Sequence, residues 1–259
     1  LYDRMLVVLD QPERVVRERE VEVKNHPKHV DPLVRLARAH DQAEEPEQAL
    51  QRFREAIGLL ASGEAEDADD FGIPTIRLEM ARRMLARARY PLALAILAMA
   101  ERDGAEVRPL ALTQANALTQ MGAPERALHT LDILERYEAG EITKDGETIT
   151  DGETALATTE TVTTAGTPET ALTATTATNE PTVSRGDVPV RVARAEALSE
   201  AGRYDEAEAL LQDLRETYPG HPGVLSTLGQ TLMWLGRLEE AAECFERVSR
   251  IQPQALSNL

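Results

Sequence analysis

Apolar residues near the end of the chain follow a helical spacing. Leu225, Leu228, Gly229 and Leu232 stand at i, i+3, i+4 and i+7, which places them on one face of a helix. Gly236 follows at the place where such a helix ends, because glycine accepts the left-handed backbone that closes a last turn. This spacing predicts one short amphipathic helix.

A second helix is predicted directly after that turn. Acidic residues from Glu239 onward suit the positive end of a helix dipole. Ala241, Phe245 and Val248 then recur at helical spacing, and we expect all three to be buried. Pro253 ends the segment. The pattern therefore predicts a pair of helices joined by a tight turn.

The opening of this second helix recurs along the chain. Each copy has a turn residue, then polar or acidic residues, then a small or aliphatic residue that begins the buried face. Three of the five intervals between copies are 34 residues, and the others are 44 and 80, so two insertions interrupt a six-unit array. The recurring residues are Val15, Ala49, Ala93, Ala127, Ala207 and Ala241.

The last unit resembles the tetratricopeptide repeat, whose signature is Leu-Gly, then Ala-x-x-x-Phe, then Pro. Leu228-Gly229, Ala241-x-x-x-Phe245 and Pro253 carry the match, and Leu36-Ala37 with Ala49-x-x-x-Phe53 forms a second copy. The resemblance implies that small residues stand where two helix backbones come close. In this sequence they are Ala37, Ala49, Ala81, Ala93, Ala115, Ala127, Ala195, Ala207, Gly229 and Ala241.

The resemblance implies an all-α fold: a right-handed, superhelical solenoid of antiparallel helix pairs with about six repeats. We expect N-terminal repeats over 1–138, the first one truncated, and C-terminal repeats over 188–259. A Thr-rich acidic insertion separates them at 139–187. Ala255 to Leu259 resembles the start of another first helix, so we expect the array to continue past the end.

The two insertions differ in composition. The acidic run at 61–72 predicts a solvated loop, which is either a longer turn or a docking segment for a basic partner. The segment 139–187 has sixteen Thr, nine acidic and two basic residues, and is too polar for a core of its own. Asp145-Gly146 predicts a hairpin turn within 142–149. A doubled Asp-Gly-Glu does not match the EF-hand spacing, so we predict turns and no calcium site.

Composition excludes several function classes. The formal net charge of -17 disfavours nucleic acid as a partner, because phosphate contacts need Lys and Arg. No apolar run approaches the ~20 residues of a membrane helix, so we expect no direct membrane insertion. A single Cys, Cys244, permits neither an internal disulfide nor a Cys-based zinc site.

The sequence shows no catalytic constellation. There is no Gly-rich phosphate loop, no His-Glu-x-x-His and no Gly-x-Ser-x-Gly. His40 lies on an apolar stripe and is predicted to be a core residue. His26 and His29 flank Pro27, where a regular helix could not direct both at a metal. We predict no catalytic residue, no metal and no cofactor, and hence no enzyme.

In the family, first helices line a concave surface, so residues off their core stripe are the candidates for partner binding. Trp234 lies about 200° beyond Leu232 on the helix and is predicted either to anchor a partner or to pack under a following repeat. Arg38 and Arg82 are candidates for gripping an acidic group. The predicted groove residues are Arg35, Arg38, Gln42, Arg82, Asn116, Gln120, Gln230 and Trp234, with Glu79, Leu85, Thr113, Glu196, Glu200 and Met233 beside them.

These observations predict a non-catalytic scaffold that binds a peptide or protein, in bacterial envelope or complex assembly. The alternative is an accessory docking region of a larger enzyme, such as a sulfotransferase or a glycosyltransferase. The compartment stays open between the cytoplasm, which is slightly favoured, and the periplasm. The sequence does not determine the oligomeric state.

Overall fold

The computed structural model describes residues 12–144 and 188–251. Those residues form eleven α-helices, one short 3-10 helix and no β-strand, which confirms the all-α prediction. The helices are α1 (Pro12–Asn25), α2 (Val30–Gln42), α3 (Pro46–Ser62), α4 (Ile73–Ala86), α5 (Tyr90–Arg102), α6 (Val107–Gln120), α7 (Pro124–Glu138), α8 (Val188–Glu200), α9 (Tyr204–Thr217), α10 (Pro222–Trp234) and α11 (Leu238–Ile251).

The odd-numbered helices open at the recurring sequence motif. In each of them the predicted small or aliphatic residue is the fourth residue of the helix. A constant offset of this kind means that the 34-residue interval of the sequence is also the repeat of the structure. The even-numbered helices α2 to α10 are therefore the first helices of five complete pairs, and α1 is the second helix of the truncated unit.

The chain divides into two compact units. The first consists of Leu1–Thr130 with Glu200–Gly202, and the second of Leu131–Ser199 with Arg203–Leu259. In the first unit the two helices of a pair pack against each other, and each second helix also packs against the next first helix. The core of this unit is built from aliphatic side chains around Phe53. In the second unit α10 packs between α9 and α11.

Small residues occupy the close contacts between helices. All ten predicted small positions are buried, and the nine alanines among them are at most 2% exposed. Gly229 lies against the ring of Phe245. Phe245 itself is half-buried, where the sequence predicted full burial, and Cys244 is the buried residue beside it.

The turn inside each complete pair has a fixed backbone shape. The residue five positions before the small residue of the second helix has a positive φ in all five pairs. In three pairs this residue is glycine, but in the first two it is Glu44, at φ 60, and Ala88, at φ 56. Because a Cβ disfavours this left-handed conformation, these two turns are strained relative to the other three.

The acidic run at 61–72 is not simply a solvated loop, as the sequence predicted. Its Asp67 carboxylate accepts hydrogen bonds from the backbone N–H of Val30, at 2.7 and 2.9 Å, and from that of Asp31, at 2.9 Å. These N–H groups are the first of α2 and have no partner within their own helix. Asp67 therefore caps a helix that precedes it by 36 residues in the chain.

Several predictions concern residues beyond the described ranges. The Thr-rich insertion lies outside them from residue 145 to 187, and with it the Asp145-Gly146 turn and the doubled Asp-Gly-Glu. The expected further helix at Ala255 to Leu259 also lies outside. Among the helices of the described ranges, none combines the length and the apolar character that crossing a membrane requires.

Candidate functional site

One register position recurs on the first helices. We call the residue that directly follows the buried small residue of a first helix the groove position. It is turned about 100° from that buried residue and so lies beside the core stripe. Four of the five groove positions are exposed, and the fifth, Glu196, is half-buried. They are Arg38, Arg82, Asn116, Glu196 and Gln230.

A pocket of about 500 Å³ lies between α4 and α6 of the first unit. It brings together Arg82, Asn116 and Gln120, three of the predicted groove residues. Its complete lining is Arg82, Leu85, Ala86, Leu112, Thr113, Asn116 and Gln120. The pocket thus combines an apolar floor with polar groups from two neighbouring first helices.

Three of the four polar side chains that line this pocket are exposed. The Asn116 and Gln120 side chains are exposed, and their amides can both donate and accept hydrogen bonds. Arg82 is exposed and makes no ion pair with any residue that the structure describes. The Thr113 hydroxyl, in contrast, donates to the Pro109 carbonyl oxygen at 2.6 Å and is buried. Thr113 therefore shapes the pocket and does not offer its hydroxyl.

Arg38 is already occupied. Its Nε and Nη2 atoms donate to the two carboxylate oxygens of Glu79, both at 2.7 Å, in a forked pair between α2 and α4. Arg83 donates to the same carboxylate and also to Asp41, which in turn accepts from Arg87 at 2.9 Å. Burial would raise the pKa of Glu79, but the hydrogen bonds from Arg38 and Arg83 outweigh it and hold the pKa below its usual value. Arg38 is thus paired within this chain, and its role as a contact for an acidic ligand stays a prediction.

Arg35 and Gln42 do not line the pocket. The Arg35 guanidinium pairs with Asp31 at 2.7 Å and with Glu22 at 3.5 Å. Gln42 is exposed at the last position of α2. The structure thus separates these two predicted residues from the group formed by Arg82, Asn116 and Gln120.

In the second unit, Trp234 presents an exposed ring. Its exposed fraction is 66%, and its ring stacks on that of Tyr204 with a centroid distance of 6.3 Å and an interplanar angle of 14°. Met233 is 52% exposed beside it, and Gln230 is exposed one turn earlier. The sequence analysis did not predict that Tyr204 contacts Trp234. Tyr204 is the first residue of the preceding second helix, and an aromatic residue at that position was the available indication.

Glu196 differs from the other groove positions in its surroundings. Its carboxylate accepts a hydrogen bond from the Thr227 hydroxyl at 3.2 Å. One turn further along, the Ser199 and Thr231 hydroxyls are 3.0 Å apart. Burial raises the pKa of Glu196 more than the Thr227 hydrogen bond lowers it. These contacts join α8 to α10.

The histidines and the cysteine that the sequence analysis considered are engaged in contacts within the fold or are buried. His40 is 2% exposed, and its Nδ1 lies 2.7 Å from a carboxylate oxygen of Glu45. The His26 and His29 rings meet edge to face at 5.4 Å. Cys244 is buried, and burial raises the pKa of its thiol. Within residues 12–144 and 188–251, no three His, Cys, Asp or Glu side chains are grouped so as to hold a metal ion.

Comparisons with known proteins agree with this architecture. The tetratricopeptide repeat family model matches residues 198–259. No curated protein matches the sequence. A tetratricopeptide repeat protein from Parabacteroides merdae is similar in structure, with a TM-score of 0.58 and 13% identity over 95% of this chain and 76% of that chain. A thermophilic protein of the same repeat type from Thermus thermophilus has a TM-score of 0.53 and 16% identity, over 88% of this chain and 94% of the other.

A third similar structure is the Cut9–Hcn1 hetero-tetramer of the APC/C. It has a TM-score of 0.54 and 10% identity. The match covers 97% of this chain but 39% of that chain, so this chain spans about two fifths of its length. At such identities the likeness shows a common fold of stacked helix pairs.

Proposed function

We propose, from the premise that the chain is a tetratricopeptide repeat protein, that it is a non-catalytic scaffold for protein–protein interaction. The proposed binding site is the pocket between α4 and α6, and the proposed ligand is an extended segment of a partner protein. A role in bacterial envelope or complex assembly remains a prediction from the resemblance. The pocket is the observation that supports this function best.

The spacing of the two amides in the pocket suits a peptide main chain. Asn116 and Gln120 are separated by one helical turn, which is about 6 Å along the axis of α6. An extended chain advances about 3.3–3.6 Å per residue, so the amides would meet main-chain groups two residues apart. Leu85 and Leu112 provide apolar surface for the side chain between them.

Arg82 should give this site a preference for acidic ligands. It is a cation without a partner in the described part of the chain, whereas the Glu79 carboxylate already occupies Arg38. A guanidinium binds a carboxylate through two parallel hydrogen bonds. We therefore expect ligands of this pocket to carry an acidic side chain or a C-terminal carboxylate beside the segment held by the amides.

Selection from a displayed library of random peptides tests the proposal. Peptides enriched on the wild-type chain should bind the double variant Asn116→Ala with Gln120→Ala at least tenfold more weakly, as expected for two lost hydrogen bonds of about 1 kcal/mol each. Gln48→Ala is the matched control, because Gln48 is equally exposed but lies on the second helix α3.

Two results would count against this function. One is the absence of any enriched peptide, which would remove the pocket as a peptide site. The other is equal binding of the selected peptides to the wild type, the double variant and the control, since their site would then lie elsewhere. Arg82→Glu should further shift the selected peptides from acidic to basic residues.

A further inference from the structure

We propose that the second unit binds a cationic segment of a partner. An arginine or lysine side chain would pair with Glu196 between α8 and α10, and an apolar side chain about three residues away would cover the Trp234–Tyr204 stack. The inference rests on the proposed function, because it names the chemistry of a partner for the groove face of the other unit.

The Glu196 carboxylate lacks a cation. It accepts one hydrogen bond, from a neutral hydroxyl, although a carboxylate has about four acceptor sites. It forms no ion pair with any residue in the described part of the chain. The two arginines of its own helix are engaged elsewhere, Arg191 with Asp213 and Arg194 with Asp132 and Glu135. A half-buried charge without compensation is costly, and a bound cation would remove that cost.

The residues at equivalent positions of the other first helices also support a cationic partner for Glu196. In the first unit the groove positions carry Arg38, Arg82 and the neutral Asn116, whereas the equivalent position of α8 carries Glu196. Glu79, another carboxylate on a first helix, is paired with two arginines of this chain, and its pKa is lowered accordingly. At Glu196, which has no paired arginine in the described part of the chain, burial raises the pKa.

The distance between Glu196 and Trp234 sets the spacing of the basic and the apolar residue in the partner segment. Glu196 of α8 contacts α10 at Thr227. Trp234 follows Thr227 by seven residues and lies on nearly the same side of α10. Seven residues of helix rise about 10.5 Å. Three residues of an extended chain span about the same length. The partner segment should therefore carry its basic and its apolar residue about three positions apart.

The net charge of the chain and the exposed Trp234 ring favour a basic partner segment over an acidic one. The chain has a formal net charge of -17, which attracts cationic partners from a distance and repels acidic ones. The exposed Trp234 ring offers apolar surface and also a face for a second cation. Tryptophan and tyrosine are enriched among the residues that contribute most to binding at protein interfaces.

Trp234 also supplies the readout, because it is the single tryptophan of the sequence. The probes are blocked heptapeptides of glycine and serine that carry leucine and, three positions before it, arginine. A second set carries glutamate in place of arginine. Titration into the whole chain, followed by tryptophan fluorescence and by calorimetry, should show binding of the arginine peptides and at least tenfold weaker binding of the glutamate peptides.

The decisive variant is Glu196→Gln, which keeps an acceptor for Thr227 and removes the charge. We expect it to weaken the arginine peptides about tenfold, with a melting temperature no lower than that of the wild type, because the variant removes an uncompensated charge. Glu216→Gln is the control, since Glu216 is an exposed carboxylate of α9 in the same unit. Equal losses in both variants would mean that only the net charge matters, and would overturn the site.

Other outcomes separate this inference from the proposed function. If none of the arginine peptides perturbs Trp234 or releases heat, the basic-segment site is refuted, whatever the α4–α6 pocket binds. If arginine peptides bind but respond to the Asn116 and Gln120 variants and not to Glu196→Gln, the first pocket stands and the second site fails. If the library selection enriches no peptide but Glu196→Gln still weakens the arginine peptides, the first pocket alone is refuted.

Discussion

Gly229 on α10 faces the ring of Phe245 on α11 so closely that a Cβ at Gly229 would lie 2.8 Å from Phe245 Cζ. Real Cβ atoms do not approach a ring carbon to that distance, so one of the two helices or the ring would have to move. The absence of a side chain at Gly229 is therefore a packing requirement between the two helices of the last pair.

This contact predicts the sign of two glycine substitutions. Gly229→Ala should lower the free energy of unfolding, and Gly229→Leu should lower it by about 1–3 kcal/mol, because the added atoms would collide with the Phe245 ring. Gly58→Ala is the control: Gly58 is exposed within α3, and a Cβ there would meet no atom within 4 Å. That change should stabilise by about 0.5–1 kcal/mol through helix propensity. Urea denaturation of the three variants checks both signs, and a more stable Gly229→Ala would contradict the packing.

A second prediction concerns pH and the cap that Asp67 places on α2. Burial would raise the pKa of Asp67, but hydrogen bonds from the backbone N–H of Asp31 and Val30 outweigh it and lower the pKa. A lowered folded-state pKa stabilises the fold fully above the unfolded-state value of about 4. That stabilisation is lost as the pH falls from there through the folded-state pKa.

Asp67→Asn keeps one acceptor oxygen but removes the charge, so it should cost about 0.3–1 kcal/mol at neutral pH, the usual contribution of an anion at a helix N-terminus. The difference in stability between the variant and the wild type should shrink as the pH falls below about 4. Asp69→Asn is the control, because Asp69 is an exposed acid of the same loop. Chemical denaturation at a series of pH values measures this, and a difference that does not change with pH would argue against a charged cap.

A third prediction follows from the turn of the second complete pair. Ala88 has φ 56, whereas Gly122, Gly202 and Gly236 hold the equivalent position in later pairs. Ala88→Gly should raise the free energy of unfolding by about 0.5–1 kcal/mol, because the left-handed backbone is costly for alanine. Ala95→Gly, at an exposed position within α5, should instead lower it by about 1 kcal/mol. Thermal melts of both variants test the contrast, and destabilisation by Ala88→Gly would dispose of the strain argument.

A fourth prediction concerns the forked pair of Arg38 and Glu79. A double-mutant cycle with Arg38→Ala and Glu79→Ala should give a coupling energy of about 0.5–1 kcal/mol, since the geometry is bidentate but Arg38 is partly exposed. High salt should reduce it. The exposed pair of Arg250 and Glu246 on α11 is the comparison and should couple by about 0.3–0.5 kcal/mol. Equal coupling in the two cycles would mean that the fork adds nothing across repeats.

The helix pairs could be predicted because their signal is local. A turn residue, an acidic first turn and a small residue at the fourth position fall within a few neighbouring residues, as at Pro124 to Ala127. Burial of the small residues follows from the same spacing. The placement of Asn116 and Gln120 beside each other also needed nothing more than the helical period.

The remaining features depend on contacts between distant parts of the chain. The Asp67 cap, the fork between Arg38 and Glu79 and the stack of Trp234 on Tyr204 join residues at least 30 positions apart. A list of charges along the sequence does not tell which carboxylate turns inward or which guanidinium is already paired. This is why the sequence indicated neither the pairing of Arg38 with Glu79 nor the stacking of Tyr204 on Trp234.

The cap on α2 also affects how this array could have been assembled or redesigned. Units of a repeat protein are often treated as interchangeable, since each contacts only its neighbours. Here the first N–H groups of α2 are held by an acid from the segment that follows α3. A copy, swap or shortening that removed the ten extra residues before α4, so that α3 and α5 regained the regular 34-residue interval, would delete that acid and leave α2 uncapped. The longer interval is thus structurally linked to the unit before it.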